Sequence, residues 1–312
     1  MRTIKIKFCD FWNGFNPDEN IFINILKRKY DVKLSDEPDY IFYSVFGYEH
    51  LKYQGIRIFY SGENIVPDFN ICDYGISFNY INFDDRYLRF PLYFLYEEDI
   101  ENVKKRGTIE GDHCTKDKFC NFIYSNGDAA DERDAIFKAI STYKKVDSGG
   151  KHLNNLGFRI ADKYEFQKRY KFSIAFENSS SRGYVTEKIL QAFAAGTIPI
   201  YWGDKMIASE FNPEAFINCH DYPDFAHVLQ RIIEIDNNDA LFFEILNKPV
   251  FVDSNCVNES YNKLENFLFN IFEQEKSAVY RRNRFYRGKM YEKNMNVIYK
   301  VQKIKSFFRV NR

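Results

Sequence analysis

Several things are missing from this 312-residue chain, and each absence removes a class of answer. No window approaches 18 consecutive apolar residues, and the opening stretch MRTIKIKFCDFW alternates lysines with apolar residues where an export signal would run apolar. The expectation is a chain neither exported nor crossing a membrane as a helix. The six cysteines (Cys9, Cys72, Cys114, Cys120, Cys219, Cys256) include no Cys-x-x-Cys pair, which predicts reduced, mostly buried thiols. There is no Asp-x-Asp, so the usual carboxylate pair for a metal–diphosphate complex is missing, and no His-Glu-x-x-His, Walker loop or Gly-x-Gly-x-x-Gly. No essential metal or other cofactor is expected, with a divalent ion at most stimulatory. The five histidines (His50, His113, His152, His220, His227) are scattered and read as structural. No repeat recurs at a period of 20 to 50 residues.

What is present describes a folded chain with a divided charge. A composition of 45% hydrophobic and 28% charged residues, with 32 Phe and 23 Tyr, supplies enough apolar area for cores and stacking surfaces. The length exceeds one ordinary core and predicts two domains. The formal charge is zero, yet 12 Lys or Arg and a single acid, Glu292, lie between Lys276 and Arg312. With 44 residues of each sign in all, the body is near −11 and the tail near +11. That split predicts a tail with an anionic partner. A membrane surface is the expected partner, and nucleic acid is not.

Along the first half, β-like runs (TIKIKF, YIFYSVF, IRIFYSGEN, YGISFNY) alternate with the helical ENIFINILKRKY, the pattern of a parallel α/β sheet. Residues 97–118 are almost wholly polar and show no buried face, which places a domain boundary there. A second α/β series starts at FCNFIYSN and continues through the helix DERDAIFKAISTYKKV and the loop DSGGKHLNN. The strand YKFSIAFEN, the helix TEKILQAFAAG and the strand TIPIYW then follow, and NESYNKLENFLFNIFEQE reads as a final amphipathic helix. The expected domains are 1–115, 116–275 and a basic helical tail, 276–312.

The segment FENSSSRGYVTEKIL (176–190) concentrates hydrogen-bonding groups between two apolar runs, at a strand's carboxyl end where parallel sheets bind ligands. A helix starting near Thr186 offers its N–H groups to a diphosphate, and Lys188 adds a positive charge. Glu187 could accept from two ribose hydroxyls. A helix cap would account for Thr186 and Glu187 singly, but it needs neither Tyr184 nor three serines.

FENSSSRGYVTEKILQAFAAGTIPIYWGD (176–204) closely resembles the donor-binding signature of the α-1,3/4-fucosyltransferases, the tenth glycosyltransferase family. FYSGENIVPDFNICDYGISFNYINFDDRYLRFPLYF (59–94) resembles the acceptor-side region of its bacterial members. The resemblance implies an α/β fold of GT-B type, with two Rossmann-like domains facing a central cleft, residues 1–115 binding the acceptor and residues 116–275 binding GDP-fucose. It implies transfer of L-fucose from GDP-fucose, with inversion, to a GlcNAc hydroxyl of an N-acetyllactosamine-type glycan, with α-1,3 the bacterial default and Lewis-type antigens the product. Carried over residue by residue, the donor contacts fall on Asn178, Tyr184, Glu187 and Lys188, and the general base on Glu63 of SGEN. Related bacterial sequences are expected to carry a diphosphate-holding arginine in the SGG loop, where the nearest cation here is Lys151. The alternatives are an inverting GT-B transferase with another nucleotide sugar, or a glycan- or nucleotide-binding module that turns nothing over. A module would not need a base at Glu63; Asp10 and Glu49 are the next candidates for that role.

In the tail, Val297, Val301, Ile304 and Phe308 share one helical face, with Lys300, Lys303, Lys305 and Arg309 around it. This predicts a helix lying on the inner, anionic face of a membrane and a cytoplasmic, peripherally attached protein. The same stripe would also serve to pack the helix back on the first domain.

Overall fold

The computed structural model describes residues 1–109, 116–283 and 285–310, with side chains described through Val301. His113 and Cys114 lie outside the described residues, as do the side chains of Lys303, Ile304, Lys305, Phe308 and Arg309. The chain divides into two compact units, residues 1–90 with 258–312, and residues 91–257.

In the first unit the elements run β1 (Arg2–Cys9), α1 (Ile21–Lys27), β2 (Tyr30–Leu34), β3 (Tyr40–Tyr43), β4 (Ile56–Tyr60), β5 (Tyr74–Ser77) and β6 (Tyr87–Arg89). All six strands are parallel, in the order β2-β1-β3-β4-β5-β6. Strands buried on both faces read as continuous apolar runs, which is why YIFY and IRIFY are buried at every position. Cys9 lies opposite Tyr43, Tyr43 opposite Phe59, and Tyr60 opposite Ile76, so the loops after β1, β3, β4 and β5 leave from one edge.

The second unit comprises α2 (Glu97–Lys105), β7 (Lys118–Phe122), α3 (Glu132–Ser141), β8 (Val146–Ser148), α4 (Lys163–Gln167), β9 (Tyr170–Phe176), α5 (Glu187–Ala194), β10 (Ile198–Trp202), β11 (Ile217–Asn218), α6 (Phe225–Asp236) and α7 (Asp239–Leu246). Its five parallel strands are ordered β11-β10-β9-β7-β8. Phe122, Phe172, Ile174, Ile198 and Ile200 of the sheet form a core with Ile136 and Ile140 of α3 and Val228, Ile232 and Ile235 of α6.

The chain then returns to the first unit through α8 (Cys256–Glu273), α9 (Lys276–Val279) and α10 (Tyr286–Val310). Phe272 of α8 stacks on Tyr40 with ring centroids 4.0 Å apart, and Phe267 meets Tyr74 edge-on at 6.0 Å. Met295 of α10 packs with the cluster of Ile41, Tyr43 and Phe59, on the sheet face opposite that of Tyr40 and Phe42. An ionic cluster ties the same segment down. The buried Asp73 carboxylate accepts the backbone N–H groups of Arg57 (2.8 Å), Arg281 (2.7 Å) and Arg282 (2.8 Å) and pairs with the Arg282 guanidinium. Glu292 of α10 binds Arg57 with both carboxylate oxygens, at 2.7 and 3.3 Å.

These units depart from the expected limits at 115/116 and 275/276. Segment 97–105 does have an inward side. Ile100 is 1% exposed and α2 packs on α5, while Arg106 donates to the carbonyls of Phe193 (3.2 Å) and Leu246 (2.8 Å). At the other end, the aromatic face of α8 belongs to the first sheet, and the basic segment through Tyr299, which meets Tyr48 at 4.8 Å, is part of that unit. The cations of the tail are therefore spent in part on internal acids.

Candidate active site

In the second unit the strand order reverses between β7 and β9, and the crevice outside the carboxyl ends of such a pair is where parallel α/β sheets bind ligands. β7 runs on into Tyr124 and Asn126, and β9 into Glu177 and Asn178. The two ends are fastened together by Tyr124, whose hydroxyl donates to the Ile174 carbonyl (2.9 Å) and accepts the Phe176 N–H (2.7 Å).

Arg133, in the first turn of α3, enters this crevice. It is 1% exposed, donates from Nη2 to Asn178 Oδ1 (2.6 Å) and from Nη1 to the Asn126 carbonyl (3.2 Å), and lies 4.1 Å above the Tyr124 ring. Its Nε is buried without a hydrogen-bond partner, and no carboxylate pairs with it among the described residues. A buried charge with no counter-ion costs several kcal/mol, roughly, which an incoming anion would offset. Sequence reasoning missed this residue. The signal was its position: Arg133, Ile136 and Ile140 follow the three-then-four spacing of the buried helix face, so a charge stood where an apolar residue belonged.

The SGG loop after β8 lies against the same crevice. A Cβ on Gly150 would come within 2.0 Å of the Tyr124 carbonyl oxygen, so only glycine fits. His152 completes the join, its N–H donating to the Tyr124 carbonyl (2.9 Å) and its Nε2 meeting Asp134 at 2.6 Å. Lys151, by contrast, is exposed, and its ammonium makes no hydrogen bond among the described residues. The cation built into this crevice comes from α3.

At the start of α5 the structure adds an internal anion. Glu177 is fully buried and accepts from the Thr186 N–H (2.7 Å), the Thr186 hydroxyl (2.7 Å) and the Lys188 ammonium (3.0 Å). Part of the helix's positive end, and part of the Lys188 charge expected for a diphosphate, is thus already met within the chain. Burial draws the Lys188 ammonium toward neutrality, but Glu177 and then Glu187 outweigh it and hold its pKa well above the ordinary lysine range. Burial likewise pushes the Glu187 carboxyl up, and Lys188 and Lys163 outweigh that, leaving it ionised at lower pH than usual. Lys163 itself donates to Gln191 Oε1 at 2.6 Å, one turn beyond Glu187. Tyr184 is buried, 1% exposed, and near enough to bias the Lys188 charge. Asn178, Tyr184, Glu187 and Lys188 therefore gather in one unit around the carboxyl ends of the central strands.

Glu63 lies in the first unit, three residues beyond the last residue of β4. Its backbone N–H donates to the Ser61 hydroxyl oxygen at 2.9 Å. Its half-buried carboxylate makes no hydrogen bond or ion pair among the described residues. Asp10 is not so available: its carboxylate accepts the N–H groups of Glu49 (2.8 Å) and His50 (3.0 Å) and meets His50 Nδ1 at 2.6 Å. Glu49 accepts from the Tyr53 hydroxyl at 3.1 Å.

Residues 6–96 match the alpha-(1,3)-fucosyltransferase FucT N-terminal domain, and residues 113–248 match glycosyltransferase family 10 (fucosyltransferase), C-terminal. An alpha-(1,3)-fucosyltransferase FucT of Helicobacter pylori is 31% identical over 90% of this chain and 68% of its own length. The chain belongs to glycosyltransferase family 10. A crystal structure of an alpha1,3-fucosyltransferase, 29% identical to this family 10 chain, superposes with a TM-score of 0.78 over 91% of this chain and 93% of its own. An alpha1,3-fucosyltransferase crystallised with GDP-fucose superposes at 0.75, covering 91% and 94%. The α/β, GT-B class implied by the sequence motif is the class of this family 10 structure.

Proposed function

We propose that this family 10 enzyme transfers L-fucose from GDP-fucose, with inversion and an α-1,3 linkage, to a GlcNAc hydroxyl of an N-acetyllactosamine-type glycan, as in Lewis-type structures on a bacterial surface polysaccharide. The observation that carries the donor half is Arg133, a buried guanidinium without a counter-ion at the strand-order reversal of the second unit. A nucleoside diphosphate supplies the missing anion. Arg133 holds the β-phosphate, Glu187 accepts from the ribose hydroxyls, Asn178, Tyr184 and Lys188 fix the donor around them, and Lys151 is at most an outer electrostatic contact.

The chemistry is a single displacement. Glu63 takes the proton of the acceptor hydroxyl as its oxygen bonds to the anomeric carbon. The bond from that carbon to the phosphate oxygen breaks, and GDP leaves with the added negative charge, which the Arg133 cation stabilises. With a cation already in place and no Asp-x-Asp in the sequence, no metal is essential. No helix among the described residues is long and apolar enough to cross a membrane. We propose that the distal basic part of α10 holds the enzyme to the inner, anionic face of a membrane.

Incubation with a panel of nucleotide sugars and N-acetyllactosamine tests this reading. GDP-fucose should be consumed to give GDP and a fucosylated product, with substantial activity retained in chelator. Turnover of UDP-galactose or UDP-GlcNAc with GDP-fucose inert would sink the donor assignment, and complete loss in chelator, restored by one cation, would sink the metal-free one.

A further inference from the structure

The first unit has its own strand-order reversal, between β1 and β3, and the residues there differ in kind from those of the second unit. β1 ends at Cys9, and the loop that follows reads DFWNGFNPDEN, with three acids and no lysine or arginine. It holds three large rings in a small space. Phe11 stacks on Phe15 with centroids 4.0 Å apart, Trp12 meets Phe15 edge-on at 5.3 Å, and Phe11 and Trp12 lie 6.4 and 6.5 Å from Tyr60 at the end of β4. Inward, the group continues through Phe8 and the buried Phe42, 5.0 Å apart. Outward it stops at Phe11, Trp12 and Phe15, all half-buried.

The loop is also fixed at its root. Asp10 adopts φ 61°, unfavourable for a residue other than glycine, and is kept there by its bonds to Glu49 and His50 of the loop after β3. A Cβ on Gly47 would fall 2.3 Å from the Asp10 carboxylate, so the two loops close on each other only with glycine at that point. Loops ordinarily carry polar residues to solvent. Here the structure fastens a loop by a strained aspartate and uses it to display an indole whose N–H makes no hydrogen bond among the described residues.

From this geometry we propose that Trp12, supported by Phe11 and Phe15, is the platform on which the acceptor pyranose stacks its C–H face, with the indole N–H free to donate to a sugar hydroxyl. The inference rests on the proposed role of Glu63, in the first unit, as the base that takes the acceptor's proton. The absence of cations on the loop selects a neutral ligand over a nucleotide phosphate. The rings select one with an apolar face, and the N–H one with hydroxyls beside that face. Tyr60, in contact with two of the rings, leads within three residues to Glu63, so the platform and the proposed base leave the same sheet edge, with β3 between their strands.

The chain has two tryptophans, so a Trp202→Phe background leaves Trp12 as the only indole. Titration of that protein with the methyl glycoside of N-acetyllactosamine should change Trp12 emission saturably. In the wild-type background, Trp12→Ala should raise the acceptor KM roughly tenfold or more and Trp12→Phe by less, with GDP affinity by calorimetry unchanged. If Trp12→Ala does not fold, Trp12→Phe and the emission titration decide. Silent emission together with an unaltered acceptor KM, in a protein that turns over GDP-fucose, overturns the platform and leaves the donor reading standing. An emission response in a protein that ignores GDP-fucose supports the platform and overturns the donor reading.

Discussion

At the scale of residues, the two proposed roles separate by measurement. Glu63→Gln removes a proton acceptor and no donor contact, so turnover should fall by about 10² or more while calorimetry finds GDP binding unchanged. Arg133→Lys keeps a charge but loses the planar fork that spans Asn178 and Asn126, so GDP binding itself should weaken, by roughly 10- to 100-fold. Near-normal turnover in Glu63→Gln would move the base elsewhere, but Asp10 has no free oxygen to offer. The motif residues stood out in the sequence because a run of hydroxyls, a tyrosine and a Glu-Lys pair between apolar segments is more than a helix cap needs. Arg133 and Glu177 were not, since each acts through a tertiary partner: Arg133 through Asn178, and Glu177 by folding back on Thr186 and Lys188. A local pattern cannot show which distant group a charge will meet.

At the scale of elements, the alternating β1 and the more continuously apolar β3, β4, β5, β7, β9 and β10 were visible from sequence. β2 and the short β6, β8 and β11 were not, because they are recruited by neighbours already in place. The clearest failure concerns 97–105, where a polar composition hid a helix with Ile100 as its one buried residue. α8 was visible as an amphipathic helix but not its destination, since an apolar stripe does not specify which sheet it covers. Past it, the ionic cluster around Asp73 decides how α10 is held. Asp73→Ala leaves Arg57 and Arg282 short of a buried partner and should cost about 3–5 kcal/mol in denaturant unfolding, as removal of one member of a buried ionic group does. A loss below about 1 kcal/mol would mean that Glu292 alone satisfies both arginines.

At the scale of the whole molecule, the position of that cluster changes how a membrane attachment is tested. Truncation after Glu275 would strip Arg282 and Glu292 from the first unit and confuse unfolding with detachment. Truncation after Val301 keeps the described contacts of α10 and removes Lys303, Lys305, Arg309 and Arg312. With about 1 kcal/mol per cation near an anionic surface, the shortened enzyme should fail to co-sediment with anionic vesicles at low salt while retaining its melting temperature and GDP binding. Vesicle binding that survives this truncation would place the attachment elsewhere. The return of α8 to the first sheet also sets an order of events at the ribosome. The second unit is one unbroken stretch, residues 91–257, and can fold as soon as it has emerged. The first sheet is synthesised before it but is missing the helix that covers Tyr40 and Phe42 until residues 256–273 follow. At roughly 5–20 residues per second, that aromatic face waits on the order of ten to forty seconds uncovered, a period in which a nascent-chain chaperone has its natural hold on this protein.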